Sequence, residues 1–364
     1  MTTTSQVAAA QAADQADEDQ PRKVNVGTAD DRFSFAGCFV GSGALVWVVY
    51  DRLLPFSGTF GFIVCWYFAF LAIYVAVTAM SQPRPIVVDK LAGAVIQGGA
   101  LVVFFAVLST IFYTFAEGRH ALIHLNFYTQ TMNGVEPTAP LNHGGILHAI
   151  VGTLIEIGIA VVVSFPLGVG TGVYMAEVGG GFARVVRTVV EAMTALPDIV
   201  AGLFIYTVLI VGVSVQAGGL AAACALGITM VPIIARTTEV QLRIVPGGLR
   251  EASLALGTSR WRTVWLVVLP TAKAGLATAV ILGVARAIGE TAAVLLTSGE
   301  TTFMNLNPIN NPMISLPLYI YHGFQSDQKF AIERYWGAAS VLLVLVLVLF
   351  VTARMLARSR PGRS

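Results

Sequence analysis

Residues 250–270 read Arg250-Glu-Ala-Ser-Leu-Ala-Leu-Gly-Thr-Ser-Arg-Trp-Arg-Thr-Val-Trp-Leu-Val-Val-Leu-Pro270 and form a charged segment between two apolar runs. We call residues 250–270 the charged loop. A Pro-Gly-Gly sequence at 246–248 breaks the chain just before it, and Gly257 is placed to end a two-turn helix over 249–256. A helix this short is unstable alone in water, so the charged loop needs a partner to dock against.

The overall composition bounds the class of protein. Of 364 residues, 56% are hydrophobic and 12% are charged, and a soluble domain has about twice that charged fraction. The formal net charge of +2 is too small to indicate nucleic acid as a partner. Cys38, Cys65 and Cys224 lie in apolar runs without paired spacing, which is typical of small buried side chains. We predict an all-α polytopic membrane protein whose outer surface contacts membrane lipid.

Eight apolar segments are long enough to cross a hydrocarbon core, which takes about 20 residues. Basic residues follow every second segment, and short loops rich in Lys and Arg stay in the cytoplasm. Both termini and the charged loop are therefore predicted to face the cytoplasm. Residues 1–32 have no apolar run and are predicted to be a disordered tail, and residues 359–364 a basic tail. The predicted spans are 33–53, 56–80, 91–115, 146–175, 198–215, 219–235, 274–296 and 335–355.

The fourth span and the segment after it carry several local signals. Gly168 and Gly172 form a small-xxx-small face that favours close helix packing. Glu156, well inside this span, must face the protein interior, although the sequence suggests no partner for it. Residues 182–196 are moderately amphipathic, which predicts a helix along the cytoplasmic membrane surface. Asp198 then stands where it can cap the helix of the fifth span.

Signatures of enzymes are weak or missing. No G-x-x-x-x-G-K-[ST] phosphate loop occurs, so ATP and Mg²⁺ are expected in a partner and no cofactor in this chain. His120 and His124 have i, i+4 spacing, but no Glu follows His120, so solvated loop histidines are favoured over a metal site. Gly-Ser-Gly at 41–43 lacks the spacing of a serine nucleophile elbow. We predict that the chain is not an enzyme.

Charged residues inside the spans carry the functional hypotheses, since each costs roughly 2.5–3.5 kcal/mol at the bilayer centre. Arg286 and Glu290 are four residues apart, hence on one helical face, where they can pair across a turn. Two interpretations stay open, a structural ion pair and an anion site in which the guanidinium binds a tetrahedral oxyanion. We favour the anion site. Arg236, shortly before Glu239, either snorkels to the cytoplasmic interface or lines a pathway.

The charged loop resembles the EAA loop of binding-protein-dependent ABC importer permeases. The matching positions are Glu-Ala-Ser at 251–253, Gly257, and Val-x-Leu-Pro at 267–270, with complete spacing. The resemblance implies a type I ABC importer (MetI-like) permease core, in which this loop is a coupling helix seated on a cytoplasmic ATPase. The coupling residues that it implies are Arg250, Glu251, Ala252, Leu256 and Gly257.

Further motifs resemble the PstA-type permeases of phosphate importers. They are Ala-Arg-Ala-Ile-Gly-Glu-Thr-Ala at 285–292, Arg-Thr-Thr-Glu at 236–239 and Arg-Ile-Val-Pro at 243–246. The resemblance covers residues 91–355 and departs at Ala293, where Pro is expected, and at Asp198, where Ser is more usual. It implies uptake of inorganic phosphate. The substrate-pathway residues that it implies are Arg236, Glu239, Arg286 and Glu290.

The same resemblance implies partners and a location. It implies a heterodimer with a PstC-type permease, two PstB-type ATPase subunits and a PstS-type phosphate-binding protein, in the bacterial cytoplasmic membrane. The predicted domains are two additional transmembrane helices in 33–90 and a permease domain in 91–358 with its coupling loop at 243–270. Alternatives that stay open are a permease for molybdate or sulfate, an ion-driven secondary transporter, and a scaffold that reports phosphate status.

Overall fold

The computed structural model describes residues 29–53 and 58–357, and this part of the chain is helical with no strand. Seven of its helices are long and apolar enough to cross a membrane, and one sharply bent helix pair gives an eighth candidate span. Helices dominate because a backbone in lipid must satisfy its own hydrogen bonds. The protein is therefore an all-α multi-pass membrane protein, as predicted.

The predicted tails fall almost entirely outside the described residues. Residues 1–28 and 358–364 are not described, so the tail prediction for them stays a prediction. The first helix begins at Ala29, however, so the last residues of the predicted N-terminal tail are helical. The chain divides into two compact units, Met1–Leu108 and Ser109–Ser364, and the division falls inside the helix of the third span.

The first unit contains the two additional helices. Aromatic rings join them: the ring centres of Phe35 and Phe70 are 5.1 Å apart, and Trp66 Nε1 donates a 3.0 Å hydrogen bond to the carbonyl of Phe39. Edge-to-face contacts of this kind add to the packing of two apolar helices. The helices are α1 (Ala29–Trp47, extended by a wider π-helical segment, Val48–Leu53), α2 (Thr59–Ser81) and the first part of α3 (Arg84–Leu122).

The second unit contains the remaining helices, and α5 with α8 forms its centre. The helices are α4 (Asn126–Thr129), α5 (Leu147–Val173, extended by Tyr174–Val178), α6 (Gly180–Thr194), α7 (Asp198–Ile205, extended by Tyr206–Gly212), α8 (Gly219–Ile244), α9 (Gly247–Ala255), α10 (Arg260–Thr263, extended by Val264–Val268), α11 (Leu269–Ile288), α12 (Ala292–Leu295), α13 (Leu316–Gly323) and α14 (Lys329–Ala357). Helices α10 and α11 follow each other without a break and form one span, Arg260–Ile288.

Helices α5 and α8 approach closely through the predicted small residues. A Cβ atom added at Gly168 would lie 2.7 Å from the Cβ of Ile234, and one added at Gly172 would lie 2.5 Å from the Cβ of Thr238. Both distances are shorter than real side chains allow, so the two glycines set the separation of the helices. The prediction of a small-xxx-small packing face is confirmed.

The fifth predicted span is interrupted rather than straight. Helices α6 and α7 meet at an angle of 102°. Pro197, between them, has extended backbone angles. Proline lacks an N–H and disfavours helix in the residue before it, so α6 ends ahead of Pro197. The predicted amphipathic helix over 182–196 corresponds to α6, and the predicted span over 198–215 corresponds to the second arm of this bend.

The predicted limits of the seventh span, 274–296, are wrong at both ends. The span begins at Arg260, where the side chain of Ser259 accepts a hydrogen bond from the backbone N–H of Arg262. It ends at Ile288, and Gly289 follows as the C-cap. The second half of the charged loop is therefore the first part of a membrane helix, and the chain after Gly289 is no longer in that helix.

Candidate functional site

A pocket of about 340 Å³ lies at the bend between α6 and α7. We call it the charged pocket, because Asp198 and Arg286 line it together. Its wall is formed by the last turn of α6, the first turn of α7, one face of α8 and Arg286 from the last turn of α11. The hydroxyl groups of Thr194 and Thr229 lie in the same wall.

Arg286 pairs with Asp198, whereas the spacing in the sequence had predicted a pair with Glu290. Its Nη2 donates to Oδ2 of Asp198, 88 residues earlier, and the two side chains are 47% and 25% exposed. The helical spacing fails because α11 ends at Ile288. Glu290 instead accepts a hydrogen bond from the backbone N–H of Ala292 at 3.2 Å.

The role predicted for Asp198 as a helix cap is also wrong. The N-cap of α7 is Pro197, and within the described residues no side-chain hydrogen bond caps this helix. Asp198 occupies the first turn, where a negative charge suits the helix dipole, and turns its carboxylate to Arg286. The bend at Pro197 is what brings the two residues together, which no spacing along the sequence reveals.

A second charged group surrounds Glu239, which is 2% exposed. Oε1 of Glu239 accepts hydrogen bonds from Nη2 of Arg187 at 2.6 Å and from Nη2 of Arg243 at 2.7 Å. Arg236 reaches its other oxygen at 3.3 Å. We call these four residues the arginine cluster. Glu239 is the buried counter-ion of this cluster. Its carboxylate was predicted to line the pathway, but three arginines surround it.

Arg236 also contacts a carboxylate on α6. Its Nη1 lies 3.3 Å from Oε1 of Glu191 on α6, and half of the Arg236 side chain is exposed. Thr229, Ile233 and Arg236 are spaced i, i+4 and i+7, on one face of α8, so Arg236 follows the pocket wall about 10 Å beyond Thr229. Two arginine–carboxylate pairs, Arg286–Asp198 and Arg236–Glu191, thus lie along one surface.

Sequence reasoning missed two members of these groups. Arg187 joins Glu239 from 52 residues away. Glu191 lies on the same helix, one turn later. The sequence of α6 is amphipathic and carries charge beside a broken span, which predicts a surface helix. This pattern does not predict which charged residues of α8 the helix contacts.

The structure shows the hydrogen-bond partner of Glu156. It is buried, as predicted, and its Oε1 lies 2.6 Å from the hydroxyl of Ser298, which also contacts the carbonyl of Met313. A small pocket has both Glu156 and Glu290 in its wall. Among the described residues, no three His, Cys, Asp or Glu side chains are grouped as a metal ion would require.

The first half of the charged loop forms the short helix α9, Gly247–Ala255. Leu256 follows as its C-cap, and Gly257 has a φ of +80°, a left-handed conformation that ends the helix and favours glycine. The predicted two-turn helix and its stop are confirmed.

Two sets of contacts hold α9 in place. Arg250 binds Glu177 at 2.7 Å and the carbonyls of Val245 and Leu242 at 2.7 and 2.8 Å, so it faces inward. The hydroxyls of Ser253, Thr258 and Thr263 lie 2.8–3.0 Å from one another and join α9 to α10. Among the predicted coupling residues, Arg250 therefore anchors the helix. The other four predicted coupling residues are exposed, and Leu256 has 85% of its surface exposed. They are Glu251, Ala252, Leu256 and Gly257.

Comparison with known proteins gives consistent relatives. The family described as "Binding-protein-dependent transport system inner membrane component" matches residues 168–360. The phosphate transport system permease protein PstA 1 of Mycobacterium tuberculosis (strain CDC 1551 / Oshkosh) is 38% identical over 242 residues, which cover 66% of this chain and 79% of that protein. The PstA protein of Haemophilus influenzae (strain ATCC 51907 / DSM 11121 / KW20 / Rd) is 33% identical over 250 residues, 68% of this chain and 86% of that protein.

Among solved structures, the chain is similar to a chain of the MetNI methionine ABC transporter in an inward facing conformation. That similarity has a TM-score of 0.47 and 23% identity, and it covers 59% of this chain and 95% of that chain.

The matched residues 168–360 include the charged pocket, the arginine cluster and α9. The relatives are permease subunits of transport systems and not enzymes. The chain belongs to the family of binding-protein-dependent transport system inner membrane components, as a relative of the PstA permeases.

Proposed function

We propose that the chain is a transmembrane permease subunit of an ATP-driven importer that takes up inorganic phosphate. The observation that carries this proposal is the pair of Arg286 and Asp198 in the charged pocket. A charged pair beside a broken helix in a membrane protein marks a pathway more often than a packing contact. The similar proteins are phosphate transport system permeases, which favours phosphate over molybdate or sulfate and an ABC permease over an ion-driven transporter.

The pocket suits a step in which phosphate replaces a carboxylate. A guanidinium offers five N–H donors, and a tetrahedral oxyanion matches its fork as well as a carboxylate does. Asp198 holds Arg286 while the site is empty, so that no lone charge is left at membrane depth. An entering anion takes the place of Asp198 and then meets Arg236, an exposed arginine on the face of α8 that carries the pocket residues Thr229 and Ile233.

The rest of the importer would be supplied by partners. In this proposal a PstC-type permease completes the pathway, two PstB-type ATPases hold ATP and Mg²⁺, and a PstS-type protein delivers phosphate. Both termini and α9 would face the cytoplasm. Exposed residues of α9 would contact the ATPase, and Arg250, bonded to Glu177, would pass the movement to α5. The helices would then change between outward-open and inward-open states.

Phosphate uptake by cells that lack other phosphate importers tests the proposal. We expect Arg286→Ala to reduce the uptake rate at least tenfold, since one charge-assisted contact contributes about 1.5–3 kcal/mol. Arg184→Ala, an exposed arginine of α6, is the matched control and should change uptake less than twofold. Immunoblots of the membrane fraction show whether each variant is present. Uptake by Arg286→Ala at the wild-type rate would contradict the proposed site.

A further inference from the structure

The charged pocket offers one cation and several acceptors. Among its described lining residues, Arg286 carries the positive charge and Asp198 the negative one. An anion bound to Arg286 would therefore lie beside the carboxylate of Asp198, which a site built only to attract negative charge would avoid.

The two hydroxyl groups of the pocket add to this excess of acceptors. Thr194 donates its hydroxyl hydrogen to the carbonyl of Val190 at 2.9 Å, and Thr229 donates its own to the carbonyl of Leu226 at 2.9 Å. A hydroxyl has one hydrogen to donate, so neither of these groups can also donate to a ligand. Besides Arg286, the polar side chains that line the described wall therefore offer acceptors, which suits a ligand that brings its own hydrogen-bond donors.

This pattern separates two classes of tetrahedral anion. Inorganic phosphate keeps a proton on at least one oxygen at neutral pH, whereas sulfate keeps none. A carboxylate accepts a hydrogen bond from the P–OH group of phosphate, but it meets sulfate with like charge and no hydrogen between them. Sites that bind a ligand hydroxyl reject analogues that lack it, because their own polar groups are then left unpaired.

We propose that Asp198 determines the specificity of the charged pocket, accepting a hydrogen bond from an oxyanion that carries a proton and repelling one that does not. The inference rests on the proposed function and deepens it, since it names the anion class that the pocket selects. Asp198 acts after the anion has displaced it from Arg286, when its carboxylate is released beside the bound ligand.

Binding of radiolabelled phosphate to the purified full complex, without its binding protein, tests this inference. Arsenate carries protons as phosphate does, and sulfate does not, so both serve as competitors. For the wild type we expect arsenate to compete about as well as phosphate, and sulfate at least about a hundredfold less well. In Asp198→Asn and Asp198→Ser, sulfate should compete to within about tenfold of phosphate. Two variants are used so that a folding defect in one leaves the test intact.

Controls separate this inference from the proposed function. Glu136→Gln makes the same chemical change at an exposed site far along the chain and should keep the wild-type selectivity. If both Asp198 variants still exclude sulfate as the wild type does, Asp198 does not determine specificity. If Arg286→Ala at the same time loses phosphate binding, the proposed function is still supported. If the wild-type complex binds no phosphate at all, the charged pocket is not a phosphate site and this inference is wrong, whereas uptake by whole cells decides the proposed function separately.

Discussion

Replacing Glu239 by Gln removes the one negative charge at the centre of the arginine cluster. The carboxylate is 2% exposed and accepts bonds from Arg187 at 2.6 Å and Arg243 at 2.7 Å, with Arg236 at 3.3 Å. Removing one partner of a fully buried ion pair costs about 3–5 kcal/mol. The arginines are 28–60% exposed, so water screens part of that loss and we expect about 2 kcal/mol.

Thermal unfolding of the purified complex measures this loss. For a chain of 364 residues, about 2 kcal/mol lowers the Tm by about 3 °C. Glu191→Gln is the matched control, because Glu191 is 55% exposed and forms a single ion pair with Arg236 at 3.3 Å. That variant should lose less than about 1 kcal/mol. Equal Tm values for the Glu239 and Glu191 variants would refute the view that Glu239 is the buried centre of the cluster.

Three further predictions concern helix packing and the charged loop. Gly172→Ala should destabilise the protein by about 1–3 kcal/mol, because the new Cβ would meet Thr238. Gly170→Ala is the control and should be neutral or stabilising, since a Cβ there meets no described side chain or neighbouring helix within 4 Å. Thermal unfolding of the two variants compares their Tm values. Gly257→Ala should cost about 1 kcal/mol, since φ is +80°, and urea unfolding measures it. Arg250→Ala should lower phosphate uptake more than ATP hydrolysis, because α9 loses its anchor; a parallel fall in both would contradict this.

Much of the fold could be predicted from the sequence because its signals are local. Long apolar runs indicate membrane helices, and Pro-Gly-Gly at 246–248 with Gly257 indicates a short helix between two breaks. The helix bounds were harder to predict, since apolar residues continue past them. The seventh span begins at Arg260 because a serine cap and the following helical turns outweigh the charge of two arginines.

The charged pocket could be predicted only in part, because its pairs depend on the bend at Pro197. The spacing of Arg286 and Glu290 indicated a pair on one helix, but that helix ends between them. Asp198 reaches Arg286 from 88 residues away, and Arg187 reaches Glu239 from 52. Hydrophobic periodicity shows which face of a helix is buried. It does not show which charged residues of two distant segments meet there.

Phosphate-dependent thermal stabilisation of the complex shows whether Arg286 binds the anion, because a single series of melts reports both stability and binding. A ligand present at about 100 times its Kd stabilises the folded state by about 2.7 kcal/mol. We predict that phosphate raises the Tm of the wild type and that Arg286→Ala, although folded, shows no such rise. If Arg286→Ala melts at a lower temperature but keeps the full phosphate-dependent rise, the pair with Asp198 is structural and the anion site lies elsewhere.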